Sequence, residues 1–225
     1  MLNNIVWCSE VSEKVAELLI VNGAYLVHYD KPKTDWVLWS NGIRCPVYLN
    51  CRYIYGKNRA FNTVVSFMEN MIASSFYDYD IFVGLSTAGI PLAAAMALRF
   101  NKPFAYVRSA QKDHGIGKLV EGDPGKNLRA LIIDDTLASG MSVVNAVNAL
   151  KTEFNIKTTG VATIAGMSEF GFENVWDNFK INSITVRVLT DYKSLEKVAT
   201  KKDLMKQEQA DKLNQFYKAP TNFIW

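Results

Sequence analysis

LIIDDTLASGMS, residues 131–142, decides how the rest of the chain is read. Three apolar residues suited to a buried strand lead into two acids, and a run of small residues then opens the next helix. In an open parallel sheet, ligands bind just beyond the carboxyl ends of the strands, where Asp134 and Asp135 are expected. Adjacent carboxylates accept hydrogen bonds from a vicinal diol or help to hold a cation. The turn Ala138-Ser139-Gly140-Met141-Ser142 offers backbone N–H groups, two hydroxyls and a helix N-terminus, the makings of an anion cradle. Diol-binding acids followed at once by a phosphate cradle describe a ribose 5-phosphate site. An isolated Asp-Asp with a serine capping the next helix is ordinary structure. The whole pattern, in this order, is a site.

Outward from this segment, short apolar runs alternate with helical periods. Residues 81–83, 104–107, 160–165 and 184–189 read as further strands, and 91–100 and 142–154 as helices. This alternation predicts an α/β fold, a central parallel sheet flanked by helices on both faces. Phe61, Val64, Val65, Met68, Met71 and Ile72 recur at helical spacing and predict an amphipathic helix upstream. Residues 35–55 read as strand, turn, strand around Ser40-Asn41-Gly42, and residues 11–26 as a first helix running into a turn at Asn22-Gly23. Residues 193–218 form a charged, helix-prone tail leading to Phe223-Ile224-Trp225. The expected organisation is a small N-terminal subregion (1–55), a core (56–200) and a C-terminal helical tail (201–225).

Composition narrows the class. The chain has 225 residues, 49% hydrophobic and 21% charged, which suits one α/β domain with a core that needs no disulfide staples. No run of about 18 apolar residues is present to span a bilayer, and MLNNIVWCSE lacks the basic and apolar regions of a secretory signal. Three cysteines (Cys8, Cys45, Cys51) in no metal-ligand spacing suit a reducing, cytoplasmic setting and free, buried thiols. A net charge of +3 with dispersed lysines gives no reason to expect nucleic acid as a partner. A membrane partner is not expected either.

Two further stretches carry chemistry. Ser86-Thr87-Ala88-Gly89 precedes a predicted helix, and its small residues let backbone approach an anion closely. Residues 111–122 hold Gly115, Gly117 and Gly122 and bring Lys112, His114 and Lys118 near Arg108, a polar and basic loop. Such a loop suits a lid over a polyanion, closing to exclude water and neutralise charge on a leaving group. His28, the other of the two histidines, reads as structural.

Segment 131–142 resembles the PRPP-binding motif of type I phosphoribosyltransferases. FVGLSTAGIPLAAAMA (82–97) and YVRSAQKDHGIGKLVEG (106–122) resemble the pyrophosphate loop and the mobile catalytic loop of the orotate phosphoribosyltransferase family, whose K-[DE]-H-G core is distinctive. WSNGIRCPVYLNCR (39–52) resembles that family's W-x-S-G-x-x-S-P-x-Y-x-D-x-R region near the base. The resemblance implies transfer of the ribose 5-phosphate of PRPP to orotate, giving orotidine 5′-phosphate and pyrophosphate in pyrimidine synthesis. Mg²⁺ would arrive mainly through PRPP, with no metal held directly by the protein. It implies that Asp134 and Asp135 serve the ribose, with Thr136, Leu137, Ala138, Ser139, Gly140, Met141 and Ser142 continuing the PRPP site. It further implies that Ser86, Thr87, Ala88 and Gly89 face pyrophosphate, that Arg108 belongs to the PRPP site, and that Lys112, His114 and Lys118 bind PRPP and attend the departing pyrophosphate. Asp134, Asp135, Lys112 and His114 are the catalytic set. The N-terminal subregion becomes a hood on the base side, and the lid serves a neighbouring copy in a homodimer.

Departures from the family concern the base more than PRPP. Some members carry a lysine where Ser40, Ala88 or Ser109 stands. Ala138 replaces the usual Thr or Ser, Asn50 replaces Asp, and Gly166-Met167-Ser168 lacks an Asp-Arg that some members use to hold orotate. Two alternative readings follow: a phosphoribosyltransferase for another base, and a non-catalytic regulator of the same fold that binds nucleic acid.

Overall fold

The predicted strands, and one two-residue strand that the sequence reading had placed in a loop, join in one sheet. In a computed structural model, describing residues 5–38, 44–109, 118–167, 179, 183–218 and 223, these strands are β5 (Ile81–Leu85), β6 (Phe104–Val107), β7 (Val120–Glu121), β8 (Arg129–Leu137), β9 (Lys157–Gly166) and β10 (Thr185–Asp191). Their order is β10-β9-β8-β5-β6-β7, parallel throughout except for β7, which runs antiparallel to β6. The chain winds outward from β5 to β7, then returns to the other side of β5 with β8. The winding direction therefore reverses between β5 and β8, the point at which open α/β sheets form a ligand crevice.

Both faces of the sheet are covered, as the unbroken apolar strands require. Phe82, Leu131, Ile133, Ala162 and Ile164 pack on one face with α1 (Ser9–Val21), α2 (Asn58–Ser75) and α3 (Gly89–Phe100). Ile81, Val83, Ile132, Val161 and Val186 turn to the other face, towards α4 (Met141–Phe154). Alternate residues of each strand thus feed different cores.

β8 corrects the expectation that the acids lie beyond their strand. It pairs with β9 as far as Leu137↔Gly166, while its pairing with β5 ends at Gly84↔Ile133. Asp134 and Asp135 therefore belong to the strand, yet have lost their neighbour on one side. Acids within a strand interrupt the apolar run, so hydrophobic pattern alone ends β8 too early. α3 likewise starts at Gly89, before Pro91. A Cβ at Gly89 would strike the Ile133 carbonyl oxygen and lie 3.1 Å from Asp134 Cα. Only glycine lets this helix start so close to the acids.

Near the N-terminus, α1 ends at Val21, and Gly23 (φ 72°) turns the chain at the expected Asn22-Gly23 turn into β1 (Tyr25–Val27), a short strand within the stretch read as helix and turn. β2 (Val37–Leu38) and β3 (Arg44–Cys45) pair antiparallel as predicted, although the Ser40-Asn41-Gly42 turn lies outside the described residues. β4 (Val47–Leu49) turns away to pair with β1, and a 3₁₀ turn spans Cys51–Ile54. The tail forms α5 (Tyr192–Lys201) and α6 (Gln207–Lys218). Asp191 caps α5, its carboxylate accepting the Ser194 N–H at 2.8 Å. Leu195, Val198, Leu213 and Phe216 bury into the same core as Val15 and Leu19 of α1, so these helices complete the molecule's packing. No described helix is long and apolar enough to cross a membrane.

Candidate active site

A cleft of about 530 Å³ opens at the carboxyl ends of β5, β8 and β9, at the winding reversal. Ser86, Thr87 and Ala88 reach it from β5; Asp134, Asp135, Thr136 and Ala138 come from β8, and Ser142 from α4. The opposite wall comes from Leu38, Tyr48, Leu49 and Arg52 of the N-terminal region, with Met167 and Tyr192. Sequence reading placed residues 39–52 near this wall but gave no role to Tyr48, Arg52, Met167 or Tyr192. Tyr48 and Arg52 belong to the quoted 39–52 stretch, but Met167 and Tyr192 lie more than a hundred residues further on, and no local pattern joins the two pairs.

The two acids are half-buried. The Asp135 N–H donates to Asp134 Oδ1 at 2.9 Å. Burial, and then the neighbouring Asp135 charge, push the Asp134 carboxyl well above the usual carboxylate range. Burial also raises Asp135, opposed by the Arg52 charge and by backbone hydrogen bonds. In the free protein the pair therefore holds a proton more readily than ordinary carboxylates. Hydroxyl donors or a cation arriving in the cleft would favour the ionised pair.

The phosphate-cradle segment folds as its glycine allows. Gly140 adopts φ 74°, reversing the chain so that α4 starts at Met141 with its N-terminal dipole directed at the turn. Ser139 and Ala138 are half-buried, while Met141 and Ser142 are exposed. Leu137 turns its side chain into the core, and its carbonyl accepts the Met167 N–H at 3.0 Å. Its contribution to any ligand is thus confined to backbone. On the β5 side, the Ser86 N–H donates to the Val107 carbonyl at 2.9 Å and the Ser86–Thr87 peptide is cis. The Tyr55 hydroxyl donates to the Ala88 carbonyl at 2.5 Å, fixing the turn from below.

Ser86 and Ser142 also border an adjoining cleft of about 450 Å³, lined further by Arg108, Ser109 and Glu153. The Arg108 N–H donates to the Leu119 carbonyl at 3.0 Å, and its guanidinium lies 3.4 Å from a Glu121 carboxylate oxygen. Glu153 of α4 accepts the Leu119 and Val120 N–H groups at 2.9 and 3.2 Å, fastening β7 to that helix. Lys118 does not join the cleft: its ammonium stands 5.0 Å from the Phe154 ring centroid. Phe154 lies 14 residues along α4 from Gly140, about 20 Å at the helical rise. Lys112 and His114 lie outside the described residues. His28 follows β1 and lines neither cleft.

All three cysteines are free, and Cys45 and Cys51 are buried. Burial pushes the Cys45 thiol up to about 12 and the Cys51 thiol higher still. These are packing residues, poorly suited to act as nucleophiles.

Two adjacent acids, the N-terminus of α4 and the small-residue turn after β5 thus meet at one switch point of the sheet. A family model described as the phosphoribosyl transferase domain matches residues 55–188. The orotate phosphoribosyltransferase of Halalkalibacterium halodurans is 31% identical over 215 residues, covering 96% of this chain and 99% of that protein. The corresponding enzyme of Bacillus mycoides is 28% identical over the same coverage. The crystal structure of orotate phosphoribosyltransferase from Aeropyrum pernix superposes with a TM-score of 0.67 at 26% identity, covering 82% of this chain and 98% of that one. The chain belongs to the phosphoribosyltransferase family, in its orotate phosphoribosyltransferase branch.

Proposed function

We propose that this protein is an orotate phosphoribosyltransferase, a pentosyl transferase that joins orotate to the ribose 5-phosphate of PRPP and releases pyrophosphate. The observation that carries the reading is the meeting of Asp134 and Asp135 with Ser86, Thr87 and Ala88 of one turn and Ala138 and Ser142 of the other around one cleft. Asp134 and Asp135 accept the ribose hydroxyls and stabilise positive charge developing at the anomeric carbon. The N–H groups and hydroxyls of residues 138–142, at the positive end of α4, hold the 5-phosphate. Ser86, Thr87, Ala88 and Gly89 face the pyrophosphate. Arg108 borders the adjoining cleft on that side.

Lys112 and His114 attend the departing pyrophosphate. Lys118 would have to leave the Phe154 ring to join them. The reaction is a displacement with inversion, through an oxocarbenium-like state, and it needs no side-chain nucleophile. Mg²⁺ arriving with PRPP would offset the negative charge of the pyrophosphate, and Asp134 and Asp135 are the residues of this cleft that could assist it without forming a full site of their own. We place the enzyme in the cytoplasm, which its free thiols suit. We also read it as a homodimer in which residues 111–122 of one copy cover the site of the other, under a hood formed by residues 1–55.

Two alternatives are tested together. A panel of orotate, uracil, adenine and hypoxanthine, each with PRPP and Mg²⁺, is followed by pyrophosphate release. Release with orotate alone supports the reading, and release with a purine replaces it. Silence with every base, joined to a gel shift of RNA or DNA, favours a regulator.

A further inference from the structure

Among the described residues lining the main cleft, Arg52 is the only cation. It stands on the 3₁₀ turn after β4 and is held from behind: Nε donates to Asn50 Oδ1 at 2.9 Å, and an Nη2 N–H to the Tyr48 hydroxyl at 3.4 Å. Both partners are neutral and orient the guanidinium, while its charge also acts on the Asp135 carboxyl of the same cleft. A guanidinium carries five N–H donors, and these two bonds leave the rest of its fork available. The end of β9 contributes Met167 to the cleft, an apolar residue with no charge to offer a base.

We infer that Arg52 recognises the carboxylate of the base, making the site selective for an anionic pyrimidine over an uncharged one. The inference rests on the proposed function, since orotate is a uracil ring bearing a carboxylate. A planar fork of N–H donors matches a carboxylate better than a point charge does. A site built around such a partner also rejects the analogue that lacks it, because the cation is then left unpaired.

The test separates the base from PRPP. Steady-state rates are measured for wild type, Arg52→Gln and Arg52→Lys, varying orotate and PRPP independently, with uracil as a competitor against orotate. Arg52→Gln should raise KM for orotate by roughly 10- to 100-fold, the worth of a charge-assisted hydrogen bond. KM for PRPP should stay within about threefold, since only base binding is removed. Arg52→Lys should recover part of the loss, and uracil should inhibit Arg52→Gln at least as well as wild type. Arg52 is exposed, so melting temperatures should match. An unchanged KM for orotate, or an equal rise in KM for PRPP, would overturn the assignment, the latter by showing that Arg52 serves the ribose acids. Wild-type protein that turns over no orotate overturns the proposed function as well, and so distinguishes the two failures.

Discussion

Replacing both Asp134 and Asp135 with Asn separates chemistry from folding. The carboxylates are half-buried, and burial and mutual repulsion hold Asp134 well above the usual range. A carboxyl raised by folding contributes stability that is complete below its unfolded value and is lost as pH rises through the folded one. At pH 8 the native acids therefore sit on the unfavourable side of that window, and neutral amides of the same shape relieve the cost. The double variant should melt at or above the wild-type temperature at pH 8, with the difference shrinking towards pH 4. In a chain of this size each ~1 kcal/mol relieved appears as a rise of about 2–4 °C. Activity should move the other way. Losing charges that stabilise the transition state typically costs ~10²-fold or more in turnover. Thermal melts across pH and orotate turnover on the same preparations provide both readouts. Near-normal kcat would refute the role given to the acids. A melting temperature several degrees lower at pH 8 would refute the electrostatic argument and make the pair structural.

Three other outcomes follow from the same physics. Lys112→Ala should lower kcat with little change in melting temperature, and mixing it with the double Asn variant should restore some activity if residues 111–122 serve the neighbouring copy. Proven subunit exchange without recovery rules out action in trans. Gly140→Val should abolish PRPP binding in calorimetry, because a β-branched residue resists the φ of 74° that starts α4, whereas Ala138→Thr should tighten binding by at most about tenfold. Normal PRPP binding by Gly140→Val places the 5-phosphate elsewhere. Burial raises Glu196 to about 8, with Asn214 Nδ2 donating to it at 2.8 Å, so its stabilising contribution should fall as pH rises from about 4.5 to about 8. Glu196→Gln should flatten that decline, worth at most ~1.4 kcal/mol per pH unit. Parallel melting curves for the two proteins across that window would show that Glu196 ionises freely.

The central strands are legible because burial on both faces makes each an apolar run: 81–83, 104–107 and 160–165 fall within β5, β6 and β9. The acids and the small-residue turns are equally legible, since that chemistry sits in one contiguous segment. Elements shorter than a period leave no mark. β7 is two residues long, and the parallel bridge between Val6 and Val188 rests on one pair. The tail reads as charged and helix-prone, yet Leu195, Val198, Leu213 and Phe216 carry its apolar stripes into the core. The base side of the cleft is least legible. Tyr48, Arg52, Met167 and Tyr192 arrive from separate elements, and only the folded sheet brings them to one wall.

The most direct measurement mixes purified protein with orotate, PRPP and Mg²⁺ and follows orotate absorbance while pyrophosphate is assayed in parallel. The account predicts a fall in absorbance matched mole for mole by pyrophosphate and by orotidine 5′-phosphate, dependent on both PRPP and Mg²⁺. Absorbance that holds steady with fully folded protein, or pyrophosphate released without loss of orotate, would contradict it.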